Sequence, residues 1–178
     1  DIVAVHRSDV SSAKQEIEAL GRRFAAVHAD LSDIARVKQV IPEAVEAFKR
    51  IDILVNNAGI IKRKPAVDYT EEEWDSVIDV NLKALFLLSQ AAARQFIRQK
   101  SGGKIINIAS MLSYQGGILV PSYTSSKTAV LGLTRALANE WAAHDINVNG
   151  IAPGYMATDN TENLRKDKDR YESITARI

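Results

Sequence analysis

The chain has 178 residues, a formal net charge of +1 and a hydrophobic fraction of 46%, a composition typical of a globular protein with one domain. It contains no cysteine, which excludes disulfides, thiolate zinc sites and a cysteine nucleophile and suits a cytoplasmic protein. The balanced charge gives no sign of nucleic-acid binding, and no apolar run approaches the roughly 20 residues of a membrane span. The histidines are scattered, so we predict no metal site.

Apolar segments alternate with amphipathic segments along the chain. The apolar segments predict strands at residues 1–6, 24–29, 51–55, 104–109 and 146–151. The amphipathic segments predict helices at residues 11–20, 33–50, about 71–78, 82–99 and 123–144, with one more in the polar tail after residue 158. This alternation indicates an α/β fold, namely a Rossmann-like, doubly wound parallel sheet with helices on both faces.

Local signals mark several helix ends. Ser11 and Ser12 are suited to cap the first helix, and a glycine after it is suited to end it. Pro42 falls inside the second helix, where we expect a kink or a restart. Thr70 followed by Glu73 has the spacing of a capping box, which predicts a helix start.

Tyr123 and Lys127 lie four residues apart on a predicted helix and therefore share a face. Because a nearby ammonium group stabilises a phenolate, Tyr123 is suited to give a proton to a carbonyl oxygen or to take one from an alcohol. Lys127 can also donate hydrogen bonds to sugar hydroxyls. The same spacing occurs on ordinary surface helices, so the pair alone leaves both interpretations open.

Other polar residues follow the predicted strands, at the sheet edge where ligands bind in such folds. Ser110 directly follows strand 104–109 and could hydrogen-bond the same carbonyl oxygen; Ser113 competes for that role, and a local serine turn is the alternative. Residues 56–59 follow another strand and either admit a ligand close to the backbone or form an ordinary turn. Asn81, between two helical segments, can hold a water, open the helical ladder or satisfy a helix end.

Taken in order, these residues resemble the short-chain dehydrogenase/reductase family. The motifs that carry the resemblance are Asn56-Asn57-Ala58-Gly59, Asn81, Ser110, Tyr123-x-x-x-Lys127 and Pro153-Gly154-x-x-x-Thr158. Each motif is weak alone, but their order and their places in the strand–helix pattern are specific and cover essentially the whole chain. The resemblance implies an enzyme that uses NAD(P) to oxidise or reduce CH–OH groups.

The resemblance also implies a role for each matching residue. Tyr123 would be the acid and base, Lys127 would assist it and bind the nicotinamide ribose, and Ser110 would polarise the substrate carbonyl. Asn81 would hold a water that relays protons behind Lys127. The implied cofactor contacts are Asp30 and Leu31 at the adenine, Asn57, Ala58 and Gly59 at the adenosine ribose, and Pro153, Gly154 and Thr158 at the nicotinamide.

Two parts of the family pattern do not occur in these residues. The family opens on a strand and a glycine-rich turn that binds the pyrophosphate, whereas this sequence begins at the equivalent of the second strand and ends before the last one. We therefore expect a single Rossmann-like domain over residues 1–178 that lacks the first and last strands and has unpaired strand edges across a gap. We also expect about 30 further residues before Asp1 in the native polypeptide, enough for a strand, a turn and a helix.

Cofactor choice in such folds is set at the end of the family's second strand, here His6-Arg7. An acidic residue there favours NAD, and an arginine suits the 2′-phosphate of NADP. Arg7 therefore leans toward NADP, unless it is a solvated strand-end charge. A closer resemblance, over residues 103–113, 120–123, 139–141 and 152–158, is to a generally NAD-linked group of the family that acts on 2-dehydro-3-deoxy-D-gluconate. We therefore expect NAD, with NADP as the alternative.

The closer resemblance implies a small sugar acid as substrate, with gluconate or another sugar or polyol as a near alternative. Arg63, in the loop after the ribose-side turn, is suited to bidentate carboxylate binding. The expected substrate contacts are Ser110, Tyr123, Arg63 and Tyr155. The family further implies a homotetramer paired through helices 82–99 and 123–144, whose alanines (Ala91, Ala92, Ala93, Ala136 and Ala138) allow close packing. A non-catalytic dinucleotide-binding module is the alternative from another class, and the intact Tyr, Lys and Ser set argues against it.

Overall fold

The computed structural model describes residues 1–158 and 161–176. The strands within these residues are β1 (Ile2–His6), β2 (Phe24–His28), β3 (Ile53–Asn56), β4 (Gly103–Ile108) and β5 (Ile146–Ile151). They form two parallel sheets, one of β1 and β2 and the other in the order β3-β4-β5. Every predicted strand is therefore confirmed, with ends that differ by two residues or fewer.

The helices follow the predicted alternation with the strands. They are α1 (Ser11–Ala19), α2 (Ile34–Phe48), α3 (Glu71–Ile78), α4 (Leu85–Gln99), α5 (Leu112–Gln115), α6 (Pro121–Trp141), α7 (Glu162–Lys166) and α8 (Lys168–Thr175). Short 3-10 turns occupy Ala66–Asp68 and Ala142–His144, and a π turn, Asp79–Ala84, joins α3 to α4. The parallel sheets flanked by helices confirm a partial Rossmann-like fold.

The two sheets do not pair with each other within the described residues. The predicted gap lies between β1 and β3, which would otherwise be bridged by a strand in the doubly wound order. The edge of β3 carries Ile53 and Val55 at 60% and 54% exposure, and Val5 of β1 is 41% exposed. Apolar strand residues this exposed confirm the expectation of two open strand edges.

One hydrophobic core nevertheless spans both sheets. It includes Val27 from the first sheet, Ile105 from the second, and Val37 and Phe96 from helices α2 and α4. Burial of side chains of this size stabilises the fold by roughly 1.5–3 kcal/mol each. Helices α2 and α4 therefore hold the sheets together where backbone pairing does not.

Three details of the predicted helices were wrong. Helix α1 begins at Ser11, and neither serine caps it; instead the Asp9 carboxylate accepts the backbone N–H of Ser11 at 3.1 Å. Helix α2 continues through Pro42 as one helix, so of the two expectations at this proline the restart does not occur; a core of apolar side chains holds both halves of the helix. The tail forms two helices, α7 and α8, because Asp167 ends the first and caps the second.

Helix α3, the π turn and α4 together form a continuous stretch, Glu71–Gln99. Among residues 1–158 and 161–176 it is the one helix long and apolar enough to cross a membrane. Half of its apolar 18-residue segment is buried inside the fold, and Ala92, Ala93 and Phe96 lie in the core. The stretch is therefore a core helix, and two of its alanines pack within this chain.

Candidate active site

A pocket opens beyond the carboxyl ends of β4 and β5. Six of the predicted site residues line it together: Arg63, Ser110, Tyr123, Pro153, Gly154 and Tyr155. They come from the loop after β3, the ends of β4 and β5, and the first turn of α6. The sheet topology thus brings together residues that are far apart in sequence, as the strand-end rule predicts.

Tyr123 and Lys127 share one face of α6, as their spacing predicted. The Lys127 Nζ lies 5.8 Å from the centroid of the Tyr123 ring. Tyr123 is partly exposed at the pocket wall, whereas Lys127 is buried behind it. The ammonium group is therefore close to the phenol yet withdrawn from solvent.

Burial determines the chemistry of Lys127. Its side chain is 3% exposed, and desolvation lowers its pKa from 10.5 to about 8. Its Nζ donates a hydrogen bond to the backbone carbonyl of Ile108, at 2.5 Å. Lys127 is thus fixed against the end of β4, and its charge is sensitive to small changes near neutral pH.

The structure separates the two serine candidates. Ser110 lines the pocket with Tyr123, and its Oγ accepts the backbone N–H of Leu112 at 3.2 Å. This bond is the local turn foreseen as the alternative, and it leaves the hydroxyl hydrogen of Ser110 available to a ligand. Ser113 does not line the pocket; its Oγ is buried without a hydrogen-bond partner among the described residues.

Asn81 connects the turn after β3 to α6. Its Oδ1 accepts the Ile60 N–H at 2.8 Å, and its Nδ2 donates to the Ile60 carbonyl at 2.9 Å and to Ser126 Oγ at 3.1 Å. Ser126 Oγ in turn donates to the Tyr123 carbonyl at 2.8 Å. The side chain of Asn81 is therefore fully engaged by protein groups and positions the turn rather than presenting a free amide. It lies in the π turn, and its side chain bonds Ile60 and Ser126 rather than the backbone of its own helix.

Gly59 lies against this group. A Cβ at Gly59 would stand 3.3 Å from Asn81 Oδ1 and 3.6 Å from Lys127 Nζ. A side chain there would be tight against Asn81 and in ordinary contact with Lys127, so the glycine lets the turn after β3 pack closely on Asn81. The neighbouring Asn57 and Ala58 are exposed at the end of β3.

The remaining predicted cofactor residues lie at the carboxyl ends of the first sheet and of β5. Arg7 pairs with Asp30, with 3.3 Å between Nη1 and Oδ2. Hydrogen bonds from Ser32, then from Arg7, hold the pKa of Asp30 below its usual value. Leu31 packs against the core. Thr158 is exposed and forms a local turn with Thr161, whose hydroxyl accepts the Thr158 N–H at 3.1 Å.

The loop that carries Arg63 is held on both sides. The Lys62 carbonyl accepts the Tyr69 hydroxyl at 3.2 Å, and the Lys64 N–H donates to the Leu119 carbonyl at 2.9 Å. The Lys64 ammonium pairs with Glu73 at 3.0 Å. Glu73 also accepts the Thr70 N–H, which completes the predicted capping box. These bonds, that of Thr70 first, keep the pKa of Glu73 below its usual value.

Sequence reasoning missed several residues of the pocket. The one that carries charge is Arg170, from α8; the others are Ile61, Met111, Leu112, Gly117, Ile118, Val120, Thr161 and Leu164. Asp167 is a residue type that caps helices, and from it one could have predicted that Arg170 lies in the first turn of a helix. No local signal says that this helix returns to the pocket. In the part of the chain that the structure describes, no three His, Asp or Glu side chains gather as they would around a metal ion.

Comparison with known proteins agrees with this architecture. The family model for short chain dehydrogenase matches residues 1–169. The 2-dehydro-3-deoxy-D-gluconate 5-dehydrogenase of Dickeya dadantii (strain 3937) is 57% identical over 178 residues, which cover 100% of this chain and 70% of that protein. The enzyme of the same name from Escherichia coli (strain K12) is 54% identical over 178 residues, with the same coverage.

A solved structure shows the same likeness in three dimensions. The gluconate 5-dehydrogenase from Burkholderia cenocepacia J2315, in complex with NADP and tartrate, superposes with a TM-score of 0.91. It is 32% identical, and the match covers 99% of this chain and 69% of that one.

Proposed function

Because this chain belongs to the short-chain dehydrogenase family, we propose that it interconverts a secondary alcohol and a ketone on a small sugar acid, with NAD or NADP. The observation that carries the proposal is the shared pocket of Ser110 and Tyr123, with the Lys127 ammonium group buried behind the phenol. Proteins named 2-dehydro-3-deoxy-D-gluconate 5-dehydrogenase are 57%, 54% and 51% identical over the whole chain. That sugar acid is our first choice of substrate.

The residues of the site fit a dinucleotide. Gly59 packs without a side chain beside Asn81 and Lys127, and Lys127 can donate to ribose hydroxyls. Asn57 and Ala58, at the end of β3, would flank the adenosine ribose, and Pro153 and Gly154 would face the nicotinamide. A bound nicotinamide would take up the hydride from the alcohol carbon in oxidation and return it in reduction.

The chain's own groups would handle the proton. In oxidation, Tyr123 Oη would take the hydroxyl proton as the carbon–oxygen bond becomes a carbonyl, and in reduction it would give the proton back. Ser110 Oγ would donate a hydrogen bond to the same oxygen and so stabilise the charge that develops on it. The Lys127 ammonium, behind the phenol, would bind the nicotinamide ribose. Asn81 would hold the turn and α6 in the geometry that this transfer needs.

A screen of the purified enzyme, expressed from its complete gene, tests the proposal. Sugar acids would be offered with NAD and NADP in parallel, and the absorbance of the reduced nicotinamide would be followed. We expect turnover of 2-dehydro-3-deoxy-D-gluconate, or of its oxidised partner, and its loss in Tyr123→Phe. A protein that binds dinucleotide but turns over none of these acids would instead be the non-catalytic module.

A gluconate 5-dehydrogenase is the second candidate. The solved structure of that name from Burkholderia cenocepacia contains NADP and tartrate, a small dicarboxylate, which supports both an acidic substrate and NADP. Arg7 also supports NADP because a guanidinium suits a 2′-phosphate. The ratio of kcat/KM for the two acids, and for the two cofactors, decides between these candidates.

We propose in addition that the chain forms one domain, and that the protein is soluble and cytoplasmic and assembles as a homotetramer through α4 and α6. Ala136 of α6 is exposed, which supports a contact there, whereas Ala92 and Ala93 are already used in the core. Sedimentation at several protein concentrations measures the assembly.

A further inference from the structure

The pocket beside Tyr123 is positively charged. Among the described residues that line it, Arg63 and Arg170 carry a charge and none is acidic. The walls between them are largely apolar: Ile61, Met111, Leu112, Ile118, Val120 and Leu164. A charge beside apolar walls is screened less than a charge in open water, so the Arg170 guanidinium favours an anion in this pocket although the whole chain carries only +1.

The helix that carries Arg170 is anchored with that residue facing inward. Asp167 accepts the Arg170 backbone N–H at 3.0 Å, which fixes the start of α8. Ile174 lies four residues later, on the same face of the helix, and is 4% exposed. Arg170 is therefore held on the packed face of α8 and is itself only partly exposed.

Three other cationic side chains of α7 and α8 have partners within the chain. Lys166 pairs with Glu162, and Lys168 lies 4.0 Å from Glu172. Arg165 donates to the Thr158 carbonyl at 3.3 Å. By contrast, within residues 1–158 and 161–176 no carboxylate stands within ion-pair distance of the Arg170 guanidinium, although it lines the pocket.

We propose that Arg170, together with Arg63, binds the carboxylate of the substrate and thereby selects sugar acids over uncharged sugars. This inference rests on the proposed function, because it assumes that the substrate reacts at Tyr123. The carboxyl group of a sugar acid that reacts near the other end of its carbon chain must lie away from the Tyr123 hydroxyl. A guanidinium is planar and donates two parallel hydrogen bonds to a carboxylate, and both arginines stand on loops or helix turns fixed by backbone hydrogen bonds.

Substitution of Arg170 tests the assignment. The enzyme would be assayed as wild type, Arg170→Gln, Arg170→Lys and Lys168→Gln, with a sugar acid and with the polyol in which a primary alcohol replaces the carboxyl group. We expect Arg170→Gln to raise KM for the acid at least about tenfold, since a charge-assisted hydrogen bond is lost. Its kinetics with the polyol and its KM for the cofactor should stay within about twofold. Arg170→Lys should recover part of the loss, and Lys168→Gln, an equal change of charge at an 85% exposed side chain, should behave as wild type.

Two kinetic outcomes would overturn the inference. One is an unchanged KM for the acid in Arg170→Gln. The other is an equal loss with acid and polyol, which would mean that Arg170 supports only the shape of the pocket. If the wild type turns over no sugar acid, the proposed function fails, but the carboxylate-binding role of Arg170 can still be tested. Calorimetry would then measure the binding of gluconate to the cofactor-loaded wild type and Arg170→Gln proteins. Equal affinities would overturn it, and weaker binding to Arg170→Gln would support it.

Discussion

Replacement of Lys127 by Met should make the folded protein more stable at neutral pH while it abolishes activity. The Lys127 side chain is 3% exposed, and burial lowers its pKa from 10.5 to about 8. Below pH 8 the amine is charged in both the folded and the unfolded chain, so the folded state bears the whole cost of burying that charge. Met has a similar length and carries no charge to bury.

The size of the effect follows from the pKa difference. At about 1.36 kcal/mol per pKa unit, the shift corresponds to roughly 3 kcal/mol of lost stability below pH 8. The Lys127→Met variant loses the hydrogen bond to the Ile108 carbonyl, which offsets about 1 kcal/mol of that gain. We expect a net gain of about 2 kcal/mol at neutral pH.

The pH dependence is the sharper part of the prediction. Between pH 8 and pH 10.5 the unfolded chain holds a proton on Lys127 that the folded chain has released, so wild-type stability rises with pH relative to the variant. From about pH 7 to about pH 9.5 this relative rise should be about 2 kcal/mol. Urea unfolding of both proteins without nucleotide, at the two pH values, measures it. A difference in unfolding free energy that does not change with pH would refute the reasoning.

Three further predictions concern the cap, the serine and the cofactor. Thr70→Ala removes the capping box of α3 and should lower the unfolding free energy by about 1 kcal/mol; an unchanged urea midpoint would contradict this. Ser110→Ala should lower kcat about 100-fold, whereas Ser113→Ala, its matched control, should keep kcat near the wild-type value; equal losses would assign no special role to Ser110. Arg7→Ala should raise KM severalfold for NADP but not for NAD, since only NADP carries the 2′-phosphate; parallel changes would show that Arg7 does not read that group.

The strands and most of the site arrangement were predictable because they depend on local pattern and topology. Apolar runs predicted the five strands, and their carboxyl ends predicted the pocket that contains Ser110 and Tyr123. The capping box at Thr70 was predictable because both of its hydrogen bonds join residues three apart. These signals are contained in short stretches of sequence.

Other features were not predictable because they depend on distant packing. Pro42 has no local partner that reveals why α2 continues; the core on both sides of it decides. Arg170 reaches the pocket because Ile174 is buried against the body of the protein, and a polar tail gives no sign of that contact. Asp9, rather than either serine, bonds the first N–H of α1; Asp and Ser are both favoured caps, so local preference does not decide between them.

The π turn, Asp79–Ala84, sets the angular phase between α3 and α4. Val77 and Phe96 lie 19 positions apart on the two sides of it, and both are fully buried. In an uninterrupted α-helix, 19 residues at about 100° each would leave these side chains about 100° apart around the axis. The extra residue of a π turn cancels that offset, so both side chains point inward. Deletion of one residue from this turn would keep the helix but rotate one half of it out of the core, and would carry Asn81 away from Ile60 and Ser126.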